Sequence, residues 1–203
     1  MTSISPSEIQ QAVDALRRGG IIVFPTETAY GLGADARSTR ALKKINALKG
    51  RSPEKTPPLI VASFAMAERY GLFSAALRGL CKQFWPGPLT LVVPARKGTD
   101  LSRSAIHRDG TIALRVSSHP VSQMLSRRLK APIVATSANR SGEPPCYDVD
   151  CLREIFLSGK EPSVILDGGK LRGEKPSTIV KEEDGKIIVL RQGAIRIPKM
   201  YVA

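Results

Sequence analysis

Short runs of apolar residues, each of strand length, recur along this chain of 203 residues, and segments with helical periodicity separate them. The runs lie at 21–24, 59–62, 89–93, 111–116, 132–136 and 163–166. Continuous apolar runs of this length are typical of strands that are buried on both faces of a sheet. Because strands and helices alternate, the sequence predicts an α/β fold with helices surrounding a twisted sheet.

The last two predicted strands, 177–181 and 186–190, flank an Asp184-Gly185 pair that is typical of a tight hairpin. An antiparallel hairpin in an otherwise α/β pattern predicts a mixed parallel and antiparallel sheet. We expect helices after capping serine or proline residues, at about 8–18, 39–49, 64–70, 74–84, 120–128 and 147–157. No shift in composition marks a boundary, so we expect a single domain over residues 1–203.

Composition limits the class of protein. No apolar run approaches the length of about 18 residues that a membrane helix needs, and the first residues lack a signal-peptide layout. The three cysteines, Cys81, Cys146 and Cys151, cannot all pair, which favours a reducing compartment. We therefore expect a cytoplasmic protein without membrane contact, in which the cysteines are small buried apolar groups.

The chain is strongly basic. It has 31 Lys plus Arg against 18 Asp plus Glu, a formal net charge of +13. This excess predicts anionic partners such as nucleotides or nucleic acid, although general basicity for solubility is the alternative. Aromatic residues make up only 5%, which argues against a platform that stacks single-stranded bases.

Standard cofactor motifs do not fit. Residues 31–36 match G-x-G-x-x-A, but a dinucleotide fingerprint needs its glycines directly between a strand and a helix. Residues 168–175 have the glycine spacing of a phosphate-binding loop but end in Glu-Lys instead of Lys-Ser or Lys-Thr. With two histidines and an isolated Cys146/Cys151 pair, the sequence predicts no zinc site.

Three polar segments carry the candidate chemistry: 25–33, 49–51 and 136–142. The first and third each follow a buried strand and offer hydroxyl, amide and backbone donors, which suit a small polar substrate or a phosphate. Lys49 and Arg51 flank a glycine at a helix end, where a lysine and an arginine can hold phosphate. The alternatives are ordinary capped turns and a solvated run of charge.

Five motifs occur in an order that resembles one known family. They are PTETAYGLGADA at 25–36, KGR at 49–51, SANRSG at 137–142, PSTIV at 176–180 and LRQG at 190–193. Together they resemble the YrdC-like family of threonylcarbamoyl-AMP synthases over almost the whole chain, in its short single-domain form. The resemblance implies a twisted mixed sheet with surrounding helices and a large basic concave cavity.

The resemblance also implies a reaction. Family members make L-threonylcarbamoyladenylate and pyrophosphate from L-threonine, bicarbonate and ATP, with Mg²⁺ accompanying the ATP and no zinc or organic cofactor. The product serves the threonylcarbamoyl-adenosine modification of tRNA through downstream threonylcarbamoyl-transfer proteins. The class is therefore nucleotidyltransferase, with weak binding of tRNA or double-stranded RNA as a further expectation.

By the same resemblance, Lys49 and Arg51 would be catalytic, and the predicted site has two halves. The ATP contacts would be Lys49, Arg51, Thr111, Ser137, Asn139, Tyr147 and Arg191. The threonine contacts would be Thr26 or Thr28, Arg115 and Ser177, with Arg115 pairing with the substrate carboxylate. The alternative for Arg115 is an ordinary surface charge on a strand.

Two positions depart from the family pattern. Where many relatives have an Asn and a His, this chain has Pro57 and Ala62. A paralogue with the same fold and a different substrate therefore stays open, as does an RNA-binding module of the same fold.

Overall fold

The computed structural model describes residues 4–50, 56–156 and 162–198. The strands are β1 (Ile22–Pro25), β2 (Tyr30–Asp35), β3 (Leu59–Ile60), β4 (Leu89–Pro94), β5 (Thr111–Arg115), β6 (Ile133–Ser137), β7 (Val164–Ile165), β8 (Thr178–Glu183) and β9 (Lys186–Arg191). The helices are α1 (Pro6–Arg17), α2 (Thr39–Lys49), α3 (Phe64–Tyr70), α4 (Ala75–Phe84), α5 (Pro120–Leu129) and α6 (Val149–Phe156), with a 3-10 turn at Arg103–Ala105.

These strands form one sheet in the order β7-β1-β2-β6-β3-β5-β4-β8-β9. The pairs β1–β7, β3–β5 and β4–β8 are parallel, and the remaining pairs are antiparallel. The predicted mixed α/β sheet is therefore confirmed. The predicted hairpin is β8–β9, and Asp184 and Gly185 at its tip both have positive φ, as its tight turn requires.

Serine caps begin four of the helices, as the sequence predicts. Ser5, Ser38, Ser63 and Ser74 each accept a hydrogen bond from a first-turn backbone N–H of α1, α2, α3 and α4. Gly50 ends α2 in the left-handed conformation, where glycine has no steric cost. In the described part of the chain no helix is long and apolar enough to span a bilayer.

The two faces of the sheet are covered differently. On one face, side chains such as Val23, Leu91 and Val134 belong to a core shared with α2, α3, α4 and α6. On the other face, Ile22 and Ile133 pack beneath α1 and α5. Alternate residues of each strand serve opposite faces, as the pleat requires.

Helices α1 and α5 cover only part of their face. Their main contacts with strands are to β1, β2, β3 and β7, whereas the same face of β4, β5 and β8 borders a cavity. The open part carries Thr90, Val92, Ala113, Arg115 and Ile179, and it forms one wall of a cavity. The incomplete helical cover therefore positions the candidate site.

One strand was not predicted. The sequence placed 25–33 in a polar loop, whereas only 26–29 turn and β2 then runs antiparallel to β1. Glycines argue against a strand, yet Gly33 is needed here, because a Cβ would lie 2.6 Å from Phe24 Cε1 on the neighbouring strand. The G-x-G-x-x-A match therefore lies within a strand and is no dinucleotide loop.

The expectation for two of the cysteines is wrong. Cys146 and Cys151 form a disulfide, with their Cα atoms 5.7 Å apart. An odd number of cysteines excludes complete pairing but not a single pair, and the turn into α6 brings these two together. Cys81 is a free buried thiol, as predicted, and burial raises its pKa to about 12.

Candidate active site

A cavity of about 680 Å³ lies against the open part of the sheet, within the roughly 300–1,000 Å³ typical of small-molecule sites. Its walls come from the β1–β2 turn, the ends of β5 and β6, and the segments before β8 and at the end of β9. The predicted residues that line it are Thr26, Thr28, Arg115, Ser137, Asn139, Tyr147, Ser177 and Arg191. The structure thus brings together most of the candidates from distant parts of the chain.

Lys49 holds one wall in place. From the end of α2 its Nζ donates to the carbonyl oxygen of Ser137 at 2.6 Å, to that of Asn139 at 2.8 Å and to Asn139 Oδ1 at 2.9 Å. The Lys49 side chain is buried, and Ser137 and Asn139 border the cavity. A buried ammonium therefore supports the turn after β6 from behind.

That turn is tightly built. Ser137 Oγ donates to Asn139 Oδ1 at 2.6 Å, Asn139 N donates to the carbonyl of Ser137 at 3.0 Å, and Asn139 Nδ2 donates to the carbonyl of Glu143. The segment is thus a side-chain-stabilised turn, one of the two alternatives left open by the sequence. Its position at the cavity wall is also what a phosphate-binding turn requires.

Lys49 itself is not among the cavity-lining residues, and two other predicted ATP contacts have no described position at the cavity. Arg51 falls outside the described residues. Thr111 opens β5, where its Oγ1 donates to Asp109 Oδ1 at 2.7 Å, and it is not among the cavity-lining residues. Contact of either residue with ATP stays a prediction.

The two candidate threonines of the β1–β2 turn differ in what they do. Thr26 Oγ1 donates to the carbonyl of Ala29 at 2.7 Å and accepts from the Thr28 and Ala29 backbone N–H groups at 3.2 Å. Its hydroxyl therefore organises the turn. Thr28, whose hydroxyl lies 3.0 Å from that of Thr26, is better placed to serve a ligand.

Arg115 is buried, so its alternative as a surface charge is wrong. It points from β5 into the cavity wall, and its NH1 lies 3.4 Å from Glu27 Oε1. Desolvation lowers the pKa of the Arg115 guanidinium, and the Glu27 carboxylate partly restores it. A buried cation at a polar cavity wall is suited to bind a carboxylate.

Arg191 reaches the same cavity from the end of β9. Its Nε and NH2 donate to the Ser177 carbonyl at 3.1 and 2.8 Å, and NH2 also donates to Ser177 Oγ at 3.1 Å. Ser177 Oγ lies 2.9 Å from Thr90 Oγ1. Desolvation lowers the pKa of Arg191, and the neighbouring charge of Arg115 lowers it further, so two cations share one cavity.

Sequence reasoning missed three residues that shape this site: Glu27, Tyr30 and Thr90. Tyr30 donates to the Gly169 carbonyl at 2.7 Å and accepts from Gly168 N at 2.9 Å, and desolvation raises its pKa to about 12. Glu27 lies in the candidate segment 25–33, but the sequence does not reveal its partner, because the contact with Arg115 depends on how the β1–β2 turn approaches β5. Thr90 left no signal, since its contact with Ser177 depends on β4–β8 pairing.

The described residues contain no cluster of three or more His, Cys, Asp or Glu that could hold a resident metal. The cavity lining includes the carboxylates of Glu143 and Glu174, which are both exposed. One or two carboxylates fit an ion such as Mg²⁺ that takes its other ligands from phosphates and water.

Known proteins resemble this chain in sequence and in fold. A family model described as "Telomere recombination", covering Sua5, YciO and YrdC proteins, matches residues 14–193. The threonylcarbamoyl-AMP synthase of Serratia proteamaculans is 40% identical over 95% of this chain and all of its own length. That of Photobacterium profundum is 39% identical over 91% of this chain and 98% of its own.

A solved structure supports the same relationship. Sua5 of P. abyssi in complex with L-threonine superposes with a TM-score of 0.87 at 34% identity. The match covers 94% of this chain and 55% of that longer chain. The present chain therefore corresponds to a little over half of the P. abyssi chain.

Proposed function

Because this chain belongs to the Sua5/YciO/YrdC family, we propose that it is a threonylcarbamoyl-AMP synthase. It is an enzyme that makes L-threonylcarbamoyladenylate and pyrophosphate from L-threonine, bicarbonate and ATP, and its class is nucleotidyltransferase. The observation that carries the proposal is the convergence of the Lys49-supported turn, Arg115 and Arg191 on one cavity. One wall of the cavity can bind the phosphates of ATP, and the buried Arg115 cation can bind the carboxylate of threonine, so the cavity can hold both substrates at once.

The chemistry explains why the site has no visible nucleophile. The threonine amine combines with bicarbonate to give a carbamate, with loss of water. A carbamate oxygen then bonds to the α-phosphorus of ATP, and the bond to the bridging oxygen breaks as pyrophosphate leaves. The substrates supply the nucleophile and the leaving group, so the protein contributes positioning and fixed charge.

Each half of the proposed site has a defined task. Arg115 binds the threonine carboxylate, with Thr28 and Ser177 nearby to orient the rest of the amino acid. The Ser137–Asn139 turn, Tyr147 and Arg191 bind ATP, and Lys49 fixes the turn and supplies positive charge behind it. Arg51 completes the predicted set of phosphate contacts.

Mg²⁺ belongs to the proposal as a companion of ATP. Glu143 and Glu174 are the lining carboxylates that could hold it. When bound, the ion would neutralise charge on the triphosphate.

The proposal is tested by omitting one substrate at a time. Purified protein with ATP, L-threonine and bicarbonate should release pyrophosphate and form a product with the mass of threonylcarbamoyladenylate. Release should stop when threonine or bicarbonate is left out. Pyrophosphate release that does not depend on either would overturn the assignment.

The departures at Pro57 and Ala62 favour a direct check on the amino acid. Many relatives have a His at the position of Ala62. Ala62 is buried and does not line the cavity, so this chain lacks that possible contact with the amino acid. Comparing L-threonine with L-serine and L-valine under the same conditions distinguishes the synthase from a paralogue with a different co-substrate.

The net charge of +13 supports weak binding of tRNA or double-stranded RNA as a second activity, which does not conflict with catalysis. Because the proposed reaction uses ATP and serves tRNA, we propose a cytoplasmic protein upstream of proteins that transfer the threonylcarbamoyl group to tRNA. The Cys146–Cys151 disulfide removes the separate argument for a reducing compartment from unpaired cysteines. Tight RNA binding without saturable ATP binding would favour the RNA-binding module instead.

A further inference from the structure

Glu27 connects two parts of the sheet that are far apart in strand order. It lies in the β1–β2 turn, and β2, β6 and β3 separate β1 from β5. Nevertheless, its Oε2 accepts a hydrogen bond from Ser117 Oγ just after β5, and its Oε1 lies 3.4 Å from Arg115 NH1. Neighbouring Thr26 and Thr28 line the cavity, so the turn brings a carboxylate to the side of Arg115.

Glu27 holds Arg115 in place by charge and leaves most of its N–H groups available to bind a ligand. Glu27 is fixed by Ser117, which is fully buried, while its Oε1 accepts no hydrogen bond from the described residues. The contact with Arg115 is therefore a charge pair and not a bidentate clamp. A guanidinium has five N–H donors, and this pair leaves most of them for a ligand.

The charges around the cavity also indicate that Arg115 needs a fixed counter-ion. The Arg115 side chain is 8% exposed, and Arg191 adds a second positive charge to the same cavity. Without a fixed counter-ion, Arg115 would reduce its desolvation and its repulsion from Arg191 by turning away. The Glu27 carboxylate, held by Ser117, opposes that movement through its attraction for Arg115.

We infer that Glu27 is a positioning residue that aims Arg115 at the carboxylate of the amino-acid substrate. The inference rests on the proposed function, since it assumes that Arg115 receives a carboxylate. Glu27 itself is not among the residues that line the cavity, so its effect on the ligand passes through Arg115.

The test compares two ligands that differ in one group. L-threonine has the carboxylate, whereas L-threoninol has a hydroxymethyl group in its place. Each is titrated calorimetrically into the wild type, Glu27→Gln and Glu68→Gln. The last is a matched control, because Glu68 pairs with Arg78 away from this cavity.

Glu27→Gln is expected to weaken L-threonine binding at least tenfold and to change threoninol binding less than twofold, with Glu68→Gln unchanged for both. An equal loss for both ligands would mean that Glu27 only maintains the cavity. Tighter binding of threonine would mean that Glu27 competes with the substrate. Either result overturns the inference and leaves the proposed function standing.

A wild type that binds no threonine would instead remove the proposed function and this inference together. If Glu27→Gln does not fold, Ser117→Ala replaces it, because that variant keeps both charges and removes the hydroxyl that fixes Glu27. The same hydroxyl also accepts from His119 N at 3.2 Å, so thermal melting is measured alongside. It should show a smaller loss with the same selectivity for threonine over threoninol. Loss without that selectivity contradicts the inference.

Discussion

Lys49 shows how a predicted contact residue can also be a structural one. Its ammonium donates to the turn after β6, which lies 88 residues further along the chain at Ser137. Its buried charge is therefore satisfied by carbonyl oxygens before any ligand arrives. At the residue scale, the sequence identified Lys49, Ser137 and Asn139 by motif but could not show that the lysine supports the other two.

Lys49→Met should lower kcat/KM for ATP by roughly 10²- to 10³-fold, since it removes one preorganised cationic group worth about 2.7–4 kcal/mol. The effect includes the loss of three hydrogen bonds to the turn. The measurement is ATP-dependent pyrophosphate release, with thermal melting to confirm the fold.

Lys43→Ala is the matched control, because Lys43 is exposed on the same helix. It should leave activity within about twofold of the wild type. If both variants retain similar activity, Lys49 has no part in the reaction.

At the scale of elements, the sequence predicted the helices better than the strands of the site. Local signals suffice for helices, since Ser38 and Gly50 delimit α2 through capping bonds within a few residues. The glycine in strand β2 is explained only by packing between strands, because Phe24 on β1 occupies the space that a Cβ at Gly33 would need. Such packing is not readable from local propensity.

Gly33→Ala should therefore destabilise the protein by about 1–3 kcal/mol through overpacking against Phe24. For a chain of this size each kcal/mol corresponds to roughly 2–4 °C in Tm. Gly31→Ala is the control on the same strand, because its Cβ would make only an ordinary 3.6 Å contact. Equal melting temperatures for the two variants would contradict this account of β2.

The N-terminus of α5 makes stability depend on pH. Desolvation lowers the pKa of His119 below its usual 6.5, and Glu27 opposes that shift. His119 therefore binds a proton more readily in the unfolded chain than in the folded one. The stability that neutral His119 contributes to the fold is fully present above pH 6.5 and is lost as the pH falls through the lower folded-state pKa.

His119→Asn should flatten that dependence. His119 Nδ1 accepts from Val121 N at 3.3 Å, and asparagine can provide the same cap without titrating. Urea unfolding at pH 7.5 and 5.5 should show a smaller loss of unfolding free energy for the variant than for the wild type. The same loss in both proteins would show that His119 does not cause it.

At the scale of the whole molecule, the site exists because two helices cover only part of one sheet face. The sequence predicted the mixed sheet and eight of the residues that line the cavity. The five motifs mark six of them, and the family resemblance implies Arg115 and Tyr147. The sequence could not predict that Cys146 pairs with Cys151 or that Glu27 reaches β5, because both depend on how distant or turning segments approach. The meeting of these residues at one cavity follows from the fold of the whole chain and not from any single segment.

The net charge of +13 is also a property of the whole chain, and it should act on the two substrates differently. ATP is a multiply charged anion, whereas threonine is a neutral zwitterion at pH 7. Long-range attraction concentrates only the former near the cavity, and salt screens it over a Debye length of ~10 Å at 0.1 M. Between 50 and 500 mM potassium chloride, kcat/KM for ATP should thus fall several-fold, while that for threonine changes less than twofold.

Repeating the series with potassium glutamate separates screening from competition by chloride at the cationic wall. Screening predicts the same fall in both salts at equal ionic strength, whereas a much weaker fall in glutamate would indicate that chloride occupies the place of a phosphate. A parallel decline for ATP and threonine would mean that the charge of the chain does not select between them. The positive charge would then have to be explained by a partner other than the nucleotide, and RNA is the first to test.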